Sequence, residues 1–352
     1  MEETGQNQAE EIIMEESVKE EEQDRISLLP DGLIIEILSR LPSTKNAIRT
    51  GVLSKRWQHL WTVVHTLIFI DNNINTSIYN RYLSADIFSF INKAITQCQS
   101  REIKKLLLHI SFHVGFESQL NNFIRFAINR NVQELSLLSS YLGDNHKFEF
   151  KDDTFFNSSC FTHLKLEHCI FRPSGVISWD KLKSLCVSRV KLDKDLIQNI
   201  LSGSPLLETL KLKYCCGYRR LDITSKSVKN LVISGYHNWF TTNFGMDIIQ
   251  INAPNVLSLT IKKALYLRKI LLQDVSSLHK ACLNYTINKE SLHHNEKEEE
   301  EMIEGFILKL HHVKELQVGK HHLQVLSRLE TKGRLQWGLK YITAANSYSD
   351  ND

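Results

Sequence analysis

The sequence of 352 residues predicts an α/β chain in which a small helical unit precedes an irregular solenoid of repeated strands. Two observations indicate this fold class. Three short segments between residues 24 and 65 space their apolar residues as amphipathic helices do. From about residue 101, a second pattern recurs nine times, with apolar residues spaced as in a short strand that buries one face. Two patterns of different period predict two structural units.

The N-terminal segment, residues 1–23, is acidic and contains no aromatic residue. Residues 1–24 hold ten Asp and Glu residues against Lys19 alone, so the rest of this chain of net charge +3 carries about +12. High charge with little apolar content is typical of disordered segments, and we predict a disordered tail. The basic remainder could favour an acidic partner, but the stronger expectation is of lysines spread singly over solvated faces, such as Lys211, Lys213, Lys262 and Lys263.

The first predicted helix covers residues 31–41, whose apolar residues fall on one helical face: Leu33, Ile34, Ile37, Leu38 and Leu41. Pro30 suits the first turn of a helix, where its missing N–H would have no partner, and Pro42 ends the helix. A second short helix is predicted over residues 44–52, with Ser43 as the residue that caps it.

The third predicted helix follows Ser54, which can cap it, and places Trp57, Leu60 and Trp61 on one side. Either tryptophan could belong to the core of the helical unit. We expect Trp57 to bridge that core and a partner, and Trp61 remains open between the two roles. Three short helices over about 40 residues cannot bury much apolar surface among themselves. Another surface must therefore cover part of their apolar side chains.

The repeated pattern has the form apolar-x-x-Leu-x-apolar, and successive copies start 21–35 residues apart. This spacing is typical of leucine-rich repeats, whose short strands point alternate side chains into the core of a solenoid. Cys169 and Cys215 stand where such a repeat turns the backbone, and residues 195–201 and 302–310 are predicted helical returns. The nine copies are Ile103-Leu106-Leu108, Val132-Leu135-Leu137, Phe161-Leu164-Leu166, Leu182-Leu185-Val187, Leu207-Leu210-Leu212, Val228-Leu231-Ile233, Val256-Leu259-Ile261, Leu278-Ala281-Leu283 and Val313-Leu316-Val318.

These patterns predict how the chain is divided. Residues 24–65 form the helical unit, residues 66–100 a linker or helical connection into the repeats, and residues 101–330 the repeats. The segment 289–301 includes four consecutive glutamates. It is expected to be a solvated loop between two repeats, because such charge density does not enter a core. The rhythm then fades, so residues 331–352 are expected to form a tail.

Three sequence blocks lie at fixed spacing in the helical unit: Leu29-Pro30-Asp31, Ile37-Leu38-Ser39-x-Leu41-Pro42 and Val52-Leu53-Ser54-Lys55-Arg56-Trp57. In these blocks, residues 24–61 closely resemble the F-box of the plant F-box/leucine-rich-repeat family. The repeats resemble the same family in rhythm, so the likeness covers about residues 24–330. The family commonly continues with further repeats or another C-terminal domain, and this chain is expected to be a shortened or divergent member.

The resemblance implies a non-catalytic function. F-box motifs bind the Skp-type adaptor of SCF ubiquitin ligases, and through it a cullin, while the C-terminal repeats bind the protein to be ubiquitinated. The resemblance thus implies a substrate-recognition subunit in ubiquitin-dependent degradation, with no cofactor. The adaptor contacts are expected from Leu29, Pro30, Leu33, Ile37, Leu38, Leu41, Val52, Leu53 and Trp57.

The target protein would bind a concave surface formed by the positions that flank each inward Leu. Each of these side chains also suits an ordinary solvated strand position, and together they identify no target. The candidates are Glu134, Ser136, Lys165, Glu167, Ser184, Lys211, Lys213 and Ser258.

Two alternative functions remain open at this point. The chain could be a scaffold that binds the adaptor without cullin assembly or degradation. It could also be a small-molecule receptor, although the sequence has no convergent cluster of Arg and aromatic residues. An enzyme is least favoured, because no Gly-rich phosphate loop, nucleophile elbow or HExxH motif occurs. Three histidine pairs lack Cys at metal-ligand spacing and are expected to be structural or on the surface: His293/His294, His311/His312 and His321/His322.

The seven cysteines include no CxxC pair, which indicates a reducing compartment rather than a disulfide framework. The acidic N-terminus differs from a secretory signal, and no apolar stretch is long enough to span a membrane. We therefore expect the cytoplasm, the nucleus or both. The expected partners are proteins, because neither a dense basic block for nucleic acid nor a membrane segment is present.

Overall fold

The structure of the chain is a computed structural model that describes residues 25–26, 28–71, 81–110, 115–138, 147–150, 152–238, 245–287, 296–334 and 342–345. The tail predicted at residues 1–23 lies outside the described residues, as do His293, His294 and the first seven residues of the predicted loop 289–301. Within the described residues, a helical unit leads directly into a long parallel sheet.

The helical unit consists of three α-helices: α1 Asp31–Ser39, α2 Thr44–Arg49 and α3 Trp57–Leu60. Two 3-10 turns, Thr50–Val52 and Trp61–Val63, follow α2 and α3. The structure therefore confirms three helices where the spacing of apolar residues predicts them. The second is shorter than predicted, because its last residues tighten into a 3-10 turn.

The predicted caps of these helices differ in outcome. The Ser43 hydroxyl accepts a hydrogen bond from the Asn46 N–H at 3.2 Å, which confirms it as the cap of α2. Ser54 begins the third helix in a different way from the one predicted. Its main-chain carbonyl, rather than its hydroxyl, accepts from the N–H groups of Trp57 and Gln58 at 3.1 and 3.3 Å. The chain thus enters α3 through backbone bonds alone.

Sixteen strands and six further helices follow in the described residues. Among these residues, no helix is both long enough and apolar enough to cross a membrane. The strands are β1 Thr66–Ile70, β2 Lys105–His109, β3 Glu134–Leu138, β4 Phe148–Phe150, β5 His163–Glu167, β6 Cys169–Phe171, β7 Ser184–Ser188, β8 Thr209–Lys213, β9 Arg220–Asp222, β10 Asn230–Tyr236, β11 Ile248–Asn252, β12 Ser258–Leu265, β13 Lys269–Leu272, β14 Lys280–Ile287, β15 Glu315–Val318 and β16 Ile342–Ala344. The helices are α4 Arg81–Gln97, α5 Glu117–Asn129, α6 Asp153–Phe156, α7 Lys194–Ser202, α8 Glu296–Lys309 and α9 Lys320–Thr331.

Eleven of the described strands form one parallel sheet in the order β1-β2-β3-β5-β7-β8-β10-β12-β14-β15-β16. Two small parallel sheets, β13-β11-β9 and β4-β6, belong to the connections between these strands. Each of the nine predicted repeats contains one strand of the large sheet, from β2 to β15. The predicted helical returns at 195–201 and 302–310 lie in α7 and α8. The α/β solenoid is therefore confirmed.

Alternate side chains of the large sheet form the core. Leu67, Leu106, Leu135, Leu164 and Leu185 stand in register on neighbouring strands, and each is at most 2% exposed. Complete burial of one such side chain stabilises the fold by about 1.5–3 kcal/mol. Behind this row, helices and the small sheets form a second layer, in which α7 packs against β9 and α8 against β13.

The structure corrects two predicted segment boundaries. Residues 66–100, expected to be a linker or helical connection, contain the helix α4, but they begin with β1, which pairs in parallel with β2 as a full member of the sheet. Val64, Leu67 and Phe69 repeat the spacing of the other repeats, and each is at most 1% exposed. This repeat directly follows the helical unit, and its apolar residues continue the apolar stretch at the end of that unit. In the same way, the predicted tail 331–352 contains β16, which pairs with β15.

The acidic segment before the last repeat also differs from its prediction. Residues 296–301, expected to be solvated loop, form the first turns of α8, and Glu299 and Glu300 are buried. The carboxylate of Glu299 lies 2.6 Å from His321 Nε2, and Lys332 Nζ donates to both oxygens of Glu300 at 2.8 Å. The hydrogen bond from Lys332 lowers the pKa of Glu300. Charges can enter the core here because each is paired.

The helical unit and the sheet form one continuous apolar core. The N–H of Ile68 in β1 donates to the Thr44 hydroxyl at 2.8 Å, and the N–H of His65 donates to the Ser39 hydroxyl at 3.2 Å. Trp61, the residue left open by the sequence, is only 6% exposed and is part of this core. The helical unit thus covers the outer edge of β1, where unpaired backbone groups would otherwise remain.

Two glycines of the helical unit give opposite predictions. Gly32 lies in α1, is exposed, and has no atom within 4 Å of the position that an alanine Cβ would occupy, so Gly32→Ala should raise the free energy of unfolding by about 1 kcal/mol. At Gly51 a Cβ would lie 3.1 Å from the Gln58 Cα, so Gly51→Ala should lower the free energy of unfolding. Urea denaturation of the full chain measures both changes. Equal effects of the two substitutions would contradict this difference in packing.

The buried His322 predicts a pH-dependent stability. It is 1% exposed, packs edge-on against Tyr285 at 4.4 Å between ring centroids, and burial lowers its pKa from 6.5 to about 4. Because the unfolded chain then binds more protons than the folded chain, stability should fall as the pH decreases from about 6.5 to about 4, by up to about 3 kcal/mol. In the His322→Phe variant, the free energy of unfolding measured by denaturation should depend less steeply on pH in this range. An unchanged slope would show that His322 is not the group responsible.

Candidate functional site

The helical unit exposes a group of large apolar side chains, which we call the apolar face: Leu28, Leu33, Ile37, Val52 and Leu53. Val52 is 89% exposed and Leu53 is 63% exposed. Single exposed apolar residues are ordinary on protein surfaces, but five in one small helical unit indicate an interaction site. The apolar face is therefore the candidate binding site of the helical unit.

The geometry of α1 explains why its apolar residues divide into two groups. Ile34 and Leu38, one helical turn apart, point into the core and are at most 2% exposed. Leu33 and Ile37 are also one turn apart, but they lie about 100° around the helix and remain 53% and 43% exposed. The apolar stripe of α1 is wider than the core that it covers. One of its edges therefore stays exposed to solvent.

A polar contact holds the two parts of the apolar face together. The guanidinium of Arg56 donates to the Asp31 carboxylate at 2.7 Å and to the main-chain carbonyl of Leu29 at 2.5 Å. The segment that carries Val52 and Leu53 is thereby fixed beside the start of α1. An exposed ion pair contributes at most about 1 kcal/mol to stability, so its main effect here is positional.

The structure places the predicted adaptor residues in three environments. Pro30, Leu33, Ile37, Val52 and Leu53 are exposed, and Leu29 and Leu41 are half-buried against the core. Leu38 is 2% exposed and Trp57 is 5% exposed, because both fill the space between the helices of the unit. The adaptor contacts expected of these two residues stay a prediction. The sequence reasoning also missed Ile26 and Leu28, which are exposed next to Leu29.

The predicted target-binding residues all lie on the open face of the large sheet. This face consists of the strand side chains that alternate with the buried leucines. Glu134 forms an ion pair with Lys105 at 3.8 Å, and the Glu167 carboxylate accepts hydrogen bonds from Ser188 and Arg189 at 3.3 and 3.4 Å. The other candidates, each exposed or half-buried, are Ser136, Lys165, Ser184, Lys211, Lys213 and Ser258.

The predicted turn cysteines lie at the carboxyl ends of two strands. Cys169 and Cys215 are buried, and the residue before each has a left-handed backbone, with φ of 52° at His168 and 51° at Tyr214. Arg189 adopts the same conformation after β7, with φ of 54°. The preceding residue therefore makes the turn, and the thiol fills its interior. Burial raises the pKa of Cys215 to about 12, so this thiol stays neutral at physiological pH.

The described histidine pairs have structural contacts. His311 and His312 lie within hydrogen-bonding distance of main-chain carbonyls at 2.8 and 3.1 Å, and His321 contacts Glu299. No group of three or more metal-binding side chains is found among the described residues.

Comparison with known proteins matches both units of the chain to known domain families. The model for the leucine-rich-repeat domain of At1g61320/AtMIF1 matches residues 95–305, and the F-box domain model matches residues 26–68. The F-box protein At5g03100 of Arabidopsis thaliana is 33% identical over 315 residues, which cover 88% of this chain and 93% of that protein. The chain belongs to the plant F-box/leucine-rich-repeat family. Members of this family are generally non-catalytic adaptors.

Two further F-box/LRR relatives of Arabidopsis thaliana are longer. The putative F-box/LRR-repeat protein At3g18150 is 33% identical and F-box/LRR-repeat protein At5g02910 is 35% identical, over 88% and 86% of this chain. The aligned region covers 63% and 62% of those two proteins, a little under two thirds of their length.

The division of the F-box into core and apolar face can be tested through stability. Leu38→Ala and Trp57→Ala should each lower the free energy of unfolding by about 2–5 kcal/mol, because they leave cavities in the core. Val52→Ala and Leu53→Ala should change it by less than about 0.5 kcal/mol, because both side chains are already in water. Denaturation curves of the four variants measure these changes. A large loss at Val52 would show that it packs inside the F-box.

Proposed function

We propose that this chain is the substrate-recognition subunit of an SCF-type cullin ubiquitin ligase. Its F-box binds a Skp-type adaptor, and its repeats bind the protein to be ubiquitinated. The observation that carries the proposal is the apolar face, which joins large exposed side chains from α1 and from the segment after α2. These are positions at which the family resemblance locates adaptor contacts.

The chemistry of the apolar face suits a stable protein partner. Burial of an exposed Leu, Ile or Val contributes about 1.5–3 kcal/mol, and a cluster of such residues forms the dry centre of an interface. Pro30 and Ile26 add exposed surface near the start of α1. A partner that covers Leu33, Ile37, Val52 and Leu53 together gains more than one that touches any of them alone.

The contact between the F-box and the sheet supports a positioning role. Only Val64 and His65 separate the 3-10 turn Trp61–Val63 from β1, and the F-box and the sheet share one core. A target on the repeats would therefore be held at a fixed distance from the adaptor. Holding two reactants close raises their effective concentration, and this requires no catalytic side chain from the receptor. We propose the cytoplasm, the nucleus or both as the site of action.

Adaptor binding is tested by charge substitution on the apolar face. The double variant Val52→Asp/Leu53→Asp should weaken binding of a purified Skp-type adaptor by at least about 30-fold, because two carboxylates would be buried without partners. Val176→Asp is the matched control, since Val176 is 75% exposed on the repeats. Isothermal titration calorimetry with the three full-length proteins measures the affinities. Unchanged binding in the double variant would contradict the proposed docking face.

A non-degradative scaffold would use the same adaptor contacts, so a second measurement separates it from a ligase subunit. Tagged full-length chain, purified under proteasome inhibition, should bring down a cullin together with the adaptor and at least one protein that carries ubiquitin. That protein should accumulate when the chain is depleted. An adaptor complex that contains no cullin would favour the scaffold.

A further inference from the structure

The open face of the large sheet carries an uneven distribution of charge. Its residues form three rows across the strands, one near the amino ends, one in the middle and one near the carboxyl ends. The middle row, from β3 to β12, contains Ser136, Lys165, Cys186, Lys211, Val232 and Thr260. The carboxyl-end row, from β5 to β12, contains Glu167, Ser188, Lys213, Ser234 and Lys262.

The amino-end row provides an internal comparison. From β3 to β14 it contains Glu134, His163, Ser184, Thr209, Asn230, Ser258 and Lys280, and its one acidic and one basic side chain balance. The other two rows hold four lysines against the single carboxylate of Glu167, which already accepts from Arg189. Positive charge is thus concentrated on two of the three rows rather than spread over the face. We call Lys165, Lys211, Lys213 and Lys262 the lysine cluster.

The register brings the four lysines close together. Lys165 and Lys211 lie on either side of Cys186, two strands apart, which is about 10 Å. Lys213 and Lys262 are likewise two strands apart, on either side of Ser234. Lys211 and Lys213 are alternate residues of β8, about 6.6 Å apart. The register therefore places four lysines within one patch of the open face.

The mutual effect of these charges is visible at Lys213. Partial burial lowers the pKa of Lys213, the neighbouring Cys186 acts in the opposite direction, and the nearby Lys165, Lys211 and Lys262 lower this pKa further. Cys186 at the centre does not neutralise the cluster, because burial raises the pKa of its thiol and keeps it protonated. An anionic group placed among these lysines would relieve their repulsion and gain several attractive contacts at once.

We infer that the lysine cluster binds an acidic segment of the target protein, in which Asp, Glu or phosphorylated residues alternate with other residues. This inference rests on the proposed function, since it gives the chemical class of target that the repeats recognise. Alternate side chains of an extended peptide lie about 6.6–6.8 Å apart, which matches the separation of Lys211 and Lys213.

An acidic protein segment fits the open face better than nucleic acid does. Proteins that bind single-stranded nucleic acid combine basic side chains with aromatic rings on which bases stack. The described residues of the middle and carboxyl-end rows between β5 and β12 include no aromatic side chain, because Cys186, Val232, Thr260, Ser188 and Ser234 separate the lysines. Within these two rows, no aromatic ring lies between the lysines.

The test uses the full-length chain and four short fluorescein-labelled probes. The first peptide alternates Glu and Ser, the second alternates phosphoserine and Gln, the third alternates Gln and Ser, and the fourth probe is a uridine oligonucleotide of equal length. Fluorescence anisotropy should show binding of one or both acidic peptides and none of the neutral peptide. The first two probes separate carboxylate from phosphate recognition. Binding should weaken as NaCl is raised from about 50 to 300 mM, because salt screens exposed charges.

Matched double variants locate the site. Lys211→Ser/Lys213→Ser should weaken acidic-peptide binding at least about 10-fold, equivalent to about 1.4 kcal/mol. Lys181→Ser/Lys183→Ser should leave it unchanged, because this exposed pair has the same spacing but precedes β7, outside the lysine cluster. Equal losses in both variants, equal binding of the neutral peptide, or tighter binding of the oligonucleotide would overturn the inference.

Adaptor affinity, measured on the same two variants, separates this inference from the proposed function. Both should bind the Skp-type adaptor like the unmodified chain, because the substitutions lie on the sheet and not on the apolar face. If the adaptor binds and the acidic peptides do not, the lysine cluster is wrong and the F-box assignment stands. If the peptides bind and the adaptor does not, the proposed docking of the F-box fails instead.

Discussion

The packing of alternate apolar side chains along one parallel sheet is the constraint on which the structure depends. Each strand contributes inward residues such as Leu106 and Leu135, which the next strand must match in register. No single repeat can bury these residues alone, so neighbouring repeats stabilise one another. The sheet also needs cover at its ends. At the amino-terminal end this cover is the F-box, whose Thr44 and Ser39 hydroxyls accept hydrogen bonds from the chain of β1 and the residue before it.

This arrangement determines which apolar residues of the small F-box are buried and which remain exposed. The sequence indicates that three short helices cannot shelter all of them, and the structure shows two solutions. Ile34, Leu38, Trp57 and Trp61 join the core that continues into the repeats. Leu33, Ile37, Val52 and Leu53 stay exposed. The repeats thus stabilise the F-box from one side, and the apolar side chains on its other side stay exposed.

The features that the sequence predicted correctly are local. The nine strands follow from leucine spacing within a few residues, and the Ser43 cap from a single side chain. Two of the errors involve contacts between distant residues. Glu300 enters the core because Lys332, 32 residues later, donates to it. In α1, helical spacing identified every apolar residue but could not separate the buried Leu38 from the exposed Ile37, since this depends on where α3 packs.

The repeat that begins at Val64 shows a different cause of error. The apolar residues of this repeat have the same spacing as those of the other copies, but the repeat overlaps the end of the F-box. A boundary at residue 65 therefore divides the repeat. Two structural units that share a core leave no polar linker between them for sequence composition to reveal. The charge pattern of the open face was also hidden, because lysines that are 46 to 97 residues apart in the chain meet only through strand register: Lys165, Lys211 and Lys262.

Hydrogen–deuterium exchange of the full-length chain, with and without a purified Skp-type adaptor, tests the central claim most directly. We expect the adaptor to slow exchange in residues 28–41 and 50–56, which carry or support the apolar face. Exchange in the strands β3 to β12 should not change. Protection confined to the sheet, or none anywhere in the F-box despite complex formation, would contradict the account.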